Sequence, residues 1–380
     1  MGLSLGQPLS YASSALALTG GGGALYFEVA NLPVWSAAVR GVQAGTADAD
    51  VLLWGDSLTA GTGSEGDGAN GLRAHSFGAE IARLLNLHGV PAIHSSLNAS
   101  NGRSIAQYLA YNPTVSFSAT TGWITNGTSL GGPLFSGTVV GERMTWSPLE
   151  EQDGFECVFN IQASSGVMGV YIDNALVDSV NLVGPAALIK KTYTTASVGI
   201  HTIGFAKLSG SGAVNLSTVI QRNSARKRVN VMNAGWGGAN AANLSLNSAT
   251  THPVQVATLL APKLTLICST MNDFAAPTVQ ASYEASHQRM IDTAQLSGDV
   301  IAFMSNSRNL VANEATIFAY LQSVAAAQGI ALGDWRTAVG TYTQAQASGD
   351  GTPGDIHLTK QGYDKVGLLK YNLITPAAYQ

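Results

Sequence analysis

A serine that directly follows a short apolar run is the first residue of this sequence whose position could support catalysis. Ser57 lies in the stretch Gly55-Asp56-Ser57-Leu58, immediately after the apolar residues 51–54. A short continuous apolar run predicts a strand that is buried on both faces of a sheet. Open α/β sheets place their ligands at the carboxyl ends of such strands. Because a serine hydroxyl is a weak nucleophile at neutral pH, Ser57 would need a base within hydrogen-bond reach.

One histidine lies where such a base is expected. Of the seven histidines in the sequence, only His357 combines a predicted loop before a helix with an acid two residues away, Asp355. A carboxylate beside the base fixes the tautomer of the imidazole that can accept the serine proton. The pattern therefore predicts a nucleophile and base formed by Ser57 and His357, with Asp355 as the candidate acid.

Two further stretches follow predicted strands and could stabilise an oxyanion. The first is Asn233-Ala234-Gly235-Trp236-Gly237-Gly238, and the second is Met271-Asn272-Asp273. Acyl transfer requires hydrogen-bond donors aimed at the position where the oxyanion forms, and a glycine N–H together with an asparagine amide can supply them. Each stretch taken alone would equally fit an ordinary loop.

Together the four stretches resemble the sequence blocks of the SGNH, or GDSL, hydrolase family. They occur in the family's order: GDSL around Ser57, NAGWGG ending at Gly238, the Asn-Asp pair at Asn272, and IHLT around His357. The resemblance implies a three-layer α/β/α fold with a parallel sheet, and esterase chemistry without a metal or another cofactor. It implies that Ser57 is the nucleophile and His357 the base. The implied oxyanion hole consists of the N–H groups of Ser57 and Gly238 and the side chain of Asn272.

Two positions depart from the family pattern. The family usually has its acid three residues before the histidine, where this sequence has Gly354, and Asp355 is only two residues before it. Either the loop adjusts locally so that Asp355 orients His357, or a backbone carbonyl does so instead. The third block usually reads Gly-x-Asn-Asp, and Thr270 occupies its glycine position. We expect this threonine to change local packing without changing the role of the amide.

The elements that must position these residues alternate between strands and helices. Strands are predicted near residues 51–54, 91–93, 229–232, 264–268, 300–304 and 330–332, and helices near residues 77–85, 278–297, 313–328 and 362–373. We expect Ser76 to cap the first of these helices, and Gly298 and Gly329 to end the second and third. Strands that alternate with helices predict a parallel sheet covered on both faces.

Between residues 112 and 228 the period of the apolar residues changes to two. Residues 155–161 alternate in this way, and Asp173-Asn174 is a turn signal between two such runs. Several short strands separated by glycine and serine predict an antiparallel β-sandwich. We therefore expect a flexible lead over residues 1–45, a catalytic domain formed by 46–111 and 229–380, and an inserted sandwich over 112–228.

The combination of a GDSL domain with an inserted β-domain resembles carbohydrate O-acetylesterases, including deacetylases carried on phage tails. Trp236, beside the oxyanion block, is the candidate sugar-binding residue. Trp123 and Trp146 in the insert could stack on sugar rings, and could equally be aromatic residues of its core.

Composition excludes several other classes. Only 11% of the 380 residues are charged, the net charge is −4, and 43 residues are glycine. This gives no basic footprint for nucleic acid, and no apolar run is long enough to predict a membrane span. The sequence shows no clear signal peptide, because Met1-Gly2-Leu3 supplies no positive n-region. The low charge and many small residues favour an extracellular protein or one on a virion surface. Cys157 and Cys268 lie in apolar runs and are expected to be buried free thiols.

The sequence thus predicts a serine esterase that removes acetyl or other short acyl groups from a polysaccharide or glycoconjugate. Two alternatives remain open, a lipase or general carboxylesterase, and a non-catalytic glycan-binding virion protein. The small polar residues that follow Ser57 favour a short acyl group over a lipid. Neither the particular polysaccharide nor the oligomeric state follows from the sequence.

Overall fold

The computed structural model describes residues 32–64, 72–94, 97–100, 104–119, 121–247, 250, 252–275, 280–305 and 314–375. Within these residues the strands are β1 Ala49–Gly55, β2 Ala92–Ile93, β3 Val115–Phe117, β4 Trp123–Ser129, β5 Gly132–Gly137, β6 Arg143–Trp146, β7 Gln152–Ile161, β8 Val167–Ile172, β9 Ala175–Asn181, β10 Ala187–Gly199, β11 Ile203–Ser209, β12 Val214–Arg222, β13 Val229–Gly235, β14 Leu264–Cys268, β15 Asp299–Met304 and β16 Ala331–Asp334.

The helices of the same residues are α1 Pro33–Gln43, α2 Ser57–Ala60, α3 Phe77–Leu87, α4 Ile105–Tyr111, α5 Ala241–Leu244, α6 Pro253–Leu260, α7 Met271–Ala275, α8 Gln280–Gln295, α9 Glu314–Gln328, α10 Arg336–Val339, α11 Tyr342–Ser348 and α12 Lys360–Ile374. A single 3-10 turn, Leu72–His75, precedes α3.

Six parallel strands form the sheet that carries the predicted catalytic stretches. Their order is β16-β15-β14-β1-β13-β2, and every neighbouring pair is parallel. Gly55 at the end of β1 is level with Gly235 of β13 and with Cys268 of β14. Three of the four predicted stretches therefore leave the sheet side by side, on the central strand and its two neighbours.

Helices cover both faces of this sheet. Val51 and Leu53 of β1 pack into a core with residues of α1, α3 and α12, whereas Leu52 and Trp54 pack into a second core with residues of α6, α8 and α9. Successive side chains of a strand point to opposite faces, so the continuous apolar run of β1 serves both cores. The predicted α/β/α sheet is confirmed.

The amino-terminal part of the described chain corrects one prediction. Residues 33–43, which we expected within a flexible lead, form α1, which packs on the sheet. The Trp35 indole is fully buried, and its Nε1 donates to the carbonyl of Ile374 at 2.9 Å. The helix begins with Pro33 and buries Trp35, Val39 and Val42 along one side, a spacing that a helix requires. The remainder of the predicted lead, residues 1–31, lies outside the described residues.

Two antiparallel five-stranded sheets are formed by strands between Val115 and Arg222. Their orders are β10-β7-β12-β5-β4 and β3-β6-β11-β8-β9, and they enclose a separate apolar core. Asp173 and Asn174 have positive φ values of 48° and 69° and form the turn between β8 and β9, as the sequence predicts. An additional antiparallel β-domain beside the parallel sheet is thus confirmed.

The β-domain packs directly on the catalytic domain and shares an apolar cluster with it. Leu130, Val158 and Ile220 are buried in the same apolar cluster as Trp54 of β1. Because these contacts join the two units, both faces of β7 are buried over residues 157–160, and its burial does not alternate simply.

Several local predictions can be compared with the structure. Gly329 follows α9 with φ +63°, which is the left-handed conformation expected at a helix end. Gly298 does not adopt such a conformation, so that prediction is wrong. A Cβ there would lie 2.5 Å from the backbone of Lys263, and glycine is required for this close approach. Cys157 and Cys268 are buried free thiols, as expected. In the described part of the chain, no helix has the length and apolar character needed to cross a membrane.

Candidate active site

Ser57 and His357 meet at the carboxyl end of β1. The Ser57 Oγ lies 3.0 Å from the His357 Nε2. Ser57 is the first residue of α2, and only 5% of its surface is exposed. Asp56, directly before it, accepts a hydrogen bond from the N–H of Leu58 at 2.9 Å and so caps this short helix. Ser57 and His357 are therefore within the distance at which a serine hydroxyl can pass its proton to a histidine.

Two glycines make the tight turn after β1 possible. A Cβ on Gly55 would lie 2.1 Å from the Thr59 Oγ1, and one on Gly235 would lie 2.0 Å from the nitrogen of Ala60. Asn233 of β13 then fixes the contact, because its Nδ2 donates to the carbonyl of Thr59 at 2.8 Å. Glycine in the first and second predicted blocks is thus required for α2 to pack directly on β13.

The loop that carries His357 packs on the loop after α2. Gly63 has φ +86°, and a Cβ at this position would lie 2.6 Å from the Cβ of His357. The carbonyl of His357 accepts from the N–H of Thr352 at 2.8 Å, which closes its own loop. Gln346 of α11 holds the same loop, since its Nε2 donates to the carbonyls of Thr352 and Asp355. The base is therefore held by backbone contacts on two sides.

The structure brings Asp355 to the imidazole despite its shifted position in the sequence. Its Oδ1 lies 3.1 Å from the His357 Nδ1, but it is not in line with a ring N–H. The two groups are therefore close together without an aligned hydrogen bond between them. Half of the Asp355 side chain is exposed. Its limited burial raises the pKa of Asp355, but His357 and the N–H of Ile356 oppose this effect, and the net pKa is lowered.

A second acid near this loop, Asp350, binds other side chains and not His357. Asp350 is buried and its carboxylate binds Lys365 at 2.7 Å, Ser348 at 2.7 Å and Gln361 at 2.9 Å. Asp355, and not Asp350, is therefore the acid that lies beside the His357 ring. Gly354, with φ +72°, supplies the turn directly before Asp355.

The candidate oxyanion donors follow β13 and β14, on either side of Ser57, with Gly238 in a loop and Asn272 in α7. Gly238 is exposed and has φ +76°. The Asn272 Nδ2 donates to the carbonyl of Ala239 at 2.7 Å, which ties the asparagine to the residue after Gly238. An amide nitrogen carries two hydrogens, so this bond engages one of them. Thr270, the departure from the family's glycine, bonds to Ser305 through its Oγ1 at 2.6 Å and acts in packing, as expected.

The structure corrects the role expected for Trp236. Its side chain is only 1% exposed, and a Cβ on Gly132 of β5 would lie 2.7 Å from the indole. The turn between β4 and β5 thus covers the ring, which presents no open face on which a sugar could stack. Trp123 and Trp146 are fully buried in the β-domain core. All three indoles serve packing in this structure.

Sequence reasoning missed a buried lysine close to the site. The Lys370 ammonium of α12 lies 3.7 Å from the ring centre of Phe77, 4.2 Å from that of Phe303 and 4.9 Å from that of Trp335. Burial lowers the pKa of Lys370 to about 8, although Cys268 and Asp56 oppose the effect. A lysine among the apolar positions of α12 was the signal in the sequence, because that face of the helix is otherwise buried.

Asp56 is a buried acid near Lys370, and its pKa is also shifted. Burial raises the pKa of Asp56 to about 7, with a further contribution from Asp273, while the N–H of Leu58 and the charge of Lys370 act in the opposite direction. The residue before the candidate nucleophile is therefore held in a low-dielectric environment, where nearby charges act strongly.

Comparison with known proteins shows that the fold of this chain is shared with a solved structure. No protein-family model matches the chain, and no curated protein matches it. Among solved structures, the chain is similar to a peptidoglycan O-acetylesterase, with a TM-score of 0.65 and 15% identity over 89% of this chain and 94% of the other. At this identity the similarity establishes a shared fold. A family two carbohydrate esterase from Cellvibrio japonicus is more distant, with a TM-score of 0.31 and 11% identity over 75% of this chain and 99% of that chain.

Proposed function

We propose that this protein is a serine esterase that removes acetyl groups from a polysaccharide or glycoconjugate. The observation that carries the proposal is the 3.0 Å contact between the Ser57 Oγ and the His357 Nε2. It lies at the carboxyl end of the central strand, and the candidate donors Gly238 and Asn272 follow the two neighbouring strands. This is the arrangement that acyl transfer needs, a nucleophile with its base beside a set of hydrogen-bond donors.

The reaction would proceed through an acyl-enzyme. The Ser57 Oγ attacks the ester carbonyl carbon while its proton passes to the His357 Nε2, and the oxyanion accepts hydrogen bonds from Ser57 N–H, Gly238 N–H and Asn272. The intermediate then breaks its bond to the sugar oxygen, which takes the proton from His357 and leaves as an alcohol. Water attacks the acyl-enzyme with His357 again as base, and acetate and free Ser57 result.

Two observations support a short acyl group on a carbohydrate. The solved structure with the higher similarity is described as a peptidoglycan O-acetylesterase. The nucleophile is also followed by small residues, Gly61 and Gly63, and the second of these packs directly against His357. A lipase would need a wide apolar surface for its acyl chain, whereas residues 59–64, which follow Ser57, are small and mostly polar.

The test is ester hydrolysis by matched variants. We expect the parent to hydrolyse p-nitrophenyl acetate much faster than the palmitate ester, and to release acetate from some members of a panel of acetylated polysaccharides. Ser57→Ala should lose several orders of magnitude in kcat, as nucleophile replacements do. Ser76→Ala is the control. Ser76 is also a buried serine at the start of a helix, directly before α3, but its hydroxyl donates to the carbonyl of Arg73.

Three results would count against the proposal. Parent-like turnover by folded Ser57→Ala would exclude the nucleophile, and a preference for palmitate would favour the lipase. Absence of any ester hydrolysis by the parent would favour a binding protein.

We also propose that the protein acts outside the cell or on a virion surface, as part of a phage tail. The low fraction of charged residues, 11%, supports this location. Detection of the native protein only in the cytosolic fraction of its producing cells would contradict it.

A further inference from the structure

A cavity outside the catalytic centre lies along the edge strand β2. Its volume is about 610 Å³, and it is lined by the 3-10 turn before α3, by α3 and β2, and by segments that lead into the β-domain. This volume is within the range of small-molecule sites. Ser57, His357, Gly238 and Asn272 do not line it.

The lining has two chemical characters. Helix α3 and β2 contribute small apolar side chains, among them Ala79, Ala82 and Ala92, while the segments of the β-domain contribute Thr114 and Ser147 with their hydroxyl groups. A pyranose ring has the same division, because its C–H groups are apolar and its hydroxyls form hydrogen bonds. The cavity therefore fits a polyhydroxylated ring better than a purely apolar ligand or a bare inorganic ion.

Arg73 adds a positive charge that the described residues do not neutralise. Its Nη1 donates a long hydrogen bond, 3.4 Å, to the Oδ1 of Asn112, and within the described ranges no carboxylate forms an ion pair with it. Burial lowers the pKa of Arg73, although Tyr111, Tyr108 and Glu150 act in the opposite direction. An arginine nevertheless stays protonated in proteins. Arg73 is partly buried, so water solvates its charge incompletely, and a bound anion would offset the lost solvation.

The other ionisable groups of the cavity do not replace this partner. Arg83 is already bound to Glu80 by two hydrogen bonds of 2.6 Å. Burial and the charge of Arg73 lower the pKa of His94 to about 3, so His94 is neutral at pH 7. Glu150 is exposed at the edge of the cavity. Arg73 is therefore the lining cation that is left for a ligand.

We propose that this cavity binds an acidic sugar unit whose carboxylate pairs with Arg73. A planar guanidinium can bind a carboxylate through two parallel hydrogen bonds. The Thr114 hydroxyl already donates to the Asn112 Oδ1 at 2.6 Å and accepts from the Trp146 Nε1 at 3.1 Å. Ser147 therefore supplies a hydroxyl group for the sugar, and the alanines of α3 face the C–H side of the ring. That this sugar belongs to the polymer being deacetylated rests on the proposed function, whereas the binding of an acidic sugar at Arg73 does not.

The binding claim is tested by calorimetry with D-glucuronate, and with D-glucose as the ligand that lacks the carboxylate. We expect the parent to bind glucuronate and to bind glucose at least tenfold more weakly. Arg73→Met should weaken glucuronate binding by roughly 10- to 100-fold, the range expected for a hydrogen bond to a charged group. Arg83→Met is the matched control, because Arg83 lines the same cavity but is paired with Glu80, and it should bind as the parent does.

Each contrary outcome overturns a defined part of the proposal. Absence of glucuronate binding to the parent at 10 mM overturns the site, and this result does not depend on whether Arg73→Met folds. Equal binding of glucose overturns the acidic ligand, and an equal loss in Arg83→Met overturns the assignment to Arg73.

The source of the sugar is tested with the nucleophile removed. In a Ser57→Ala background, an acetylated polyuronide should bind more tightly than an acetylated neutral glucan, and Arg73→Met should abolish the difference. If free glucuronate binds at Arg73 but the two polymers bind equally, the cavity serves a free sugar acid and not the substrate. If glucuronate binds but the parent hydrolyses no ester, the proposed function fails and the site remains.

Discussion

Replacing Gly63 by alanine should separate the positioning of His357 from the stability of the fold. The new Cβ would lie 2.6 Å from the His357 Cβ, 3.0 Å from the carbonyl oxygen of Leu358 and 3.0 Å from the Thr352 Oγ1. Carbon atoms in contact are normally separated by about 3.5 to 4.0 Å. The loop that carries His357 must therefore move by about 1 Å.

This displacement has a predictable effect on rate. The distance between the Ser57 Oγ and the His357 Nε2 is 3.0 Å, and an increase of about 1 Å takes it beyond the reach of a hydrogen bond. A misplacement of this size costs on the order of 10²-fold in rate, or about 2.7 kcal/mol in activation free energy. We expect kcat on p-nitrophenyl acetate to fall by that factor, with little change in KM.

Gly45→Ala is the matched control for backbone strain. Gly45 also has a positive φ, +68°, but a Cβ there would have no atom within 4 Å. Alanine in the left-handed conformation costs about 1 to 2 kcal/mol, so Gly45→Ala should lose about that much stability in urea unfolding, and Gly63→Ala should lose more because of its close contacts. Only Gly63→Ala should lose activity per folded molecule. Parent-like kcat in folded Gly63→Ala, or an equal loss in Gly45→Ala, would refute the reasoning.

Three further predictions follow from the charges and the shared core. Asp355→Asn should lower kcat on the order of 10²-fold, less than for a buried triad acid, because the Asp355 side chain is half exposed; a loss below threefold would make Asp355 dispensable. Lys370→Met should increase the free energy of unfolding at pH 7 by at most about 3 kcal/mol, the equivalent of the lowered pKa. Since the folded pKa of Lys370 is about 8 and the unfolded value is 10.5, the unfolded parent binds more protons between these values, so the advantage of the variant should shrink as pH rises through that window. A difference in urea stability that is independent of pH would contradict this. Replacing residues 112–228 by a glycine-serine linker should give insoluble or unfolded protein, because it exposes the catalytic core that packs on Leu130 and Val158; a soluble and cooperatively unfolding deletion would show that the shared core is dispensable.

The sequence predicted the parallel sheet because local patterns carry that information. The apolar run at 51–54 and the strand at 264–268 are buried on both faces, and the residues after them lie at one edge of the sheet. The separation of Ser57 and His357 along the chain gives no local signal that they meet. Their pairing was predicted from the chemistry that a serine nucleophile needs and from the order of the four blocks.

The wrong predictions concern residues whose structure is determined by tertiary contacts. Trp236 is covered by the turn after β4, and α1 is fixed by the hydrogen bond from Trp35 to Ile374. Gly298 is required by the nearby backbone of Lys263, not by its own conformation. In each case the partner is distant in the sequence, so periodicity and turn signals could not reveal it.

The central claim is that His357 activates Ser57 as the nucleophile, and covalent labelling tests it most directly. The protein is treated with a fluorophosphonate, which reacts with an activated serine, and the adduct is located by mass spectrometry. We predict one adduct per molecule, on the peptide that contains Ser57, and labelling that is at least 10²-fold slower in folded His357→Ala, because the hydroxyl then lacks its base. An adduct at another residue, or equally fast labelling of Ser57 in the parent and in His357→Ala, would contradict the account.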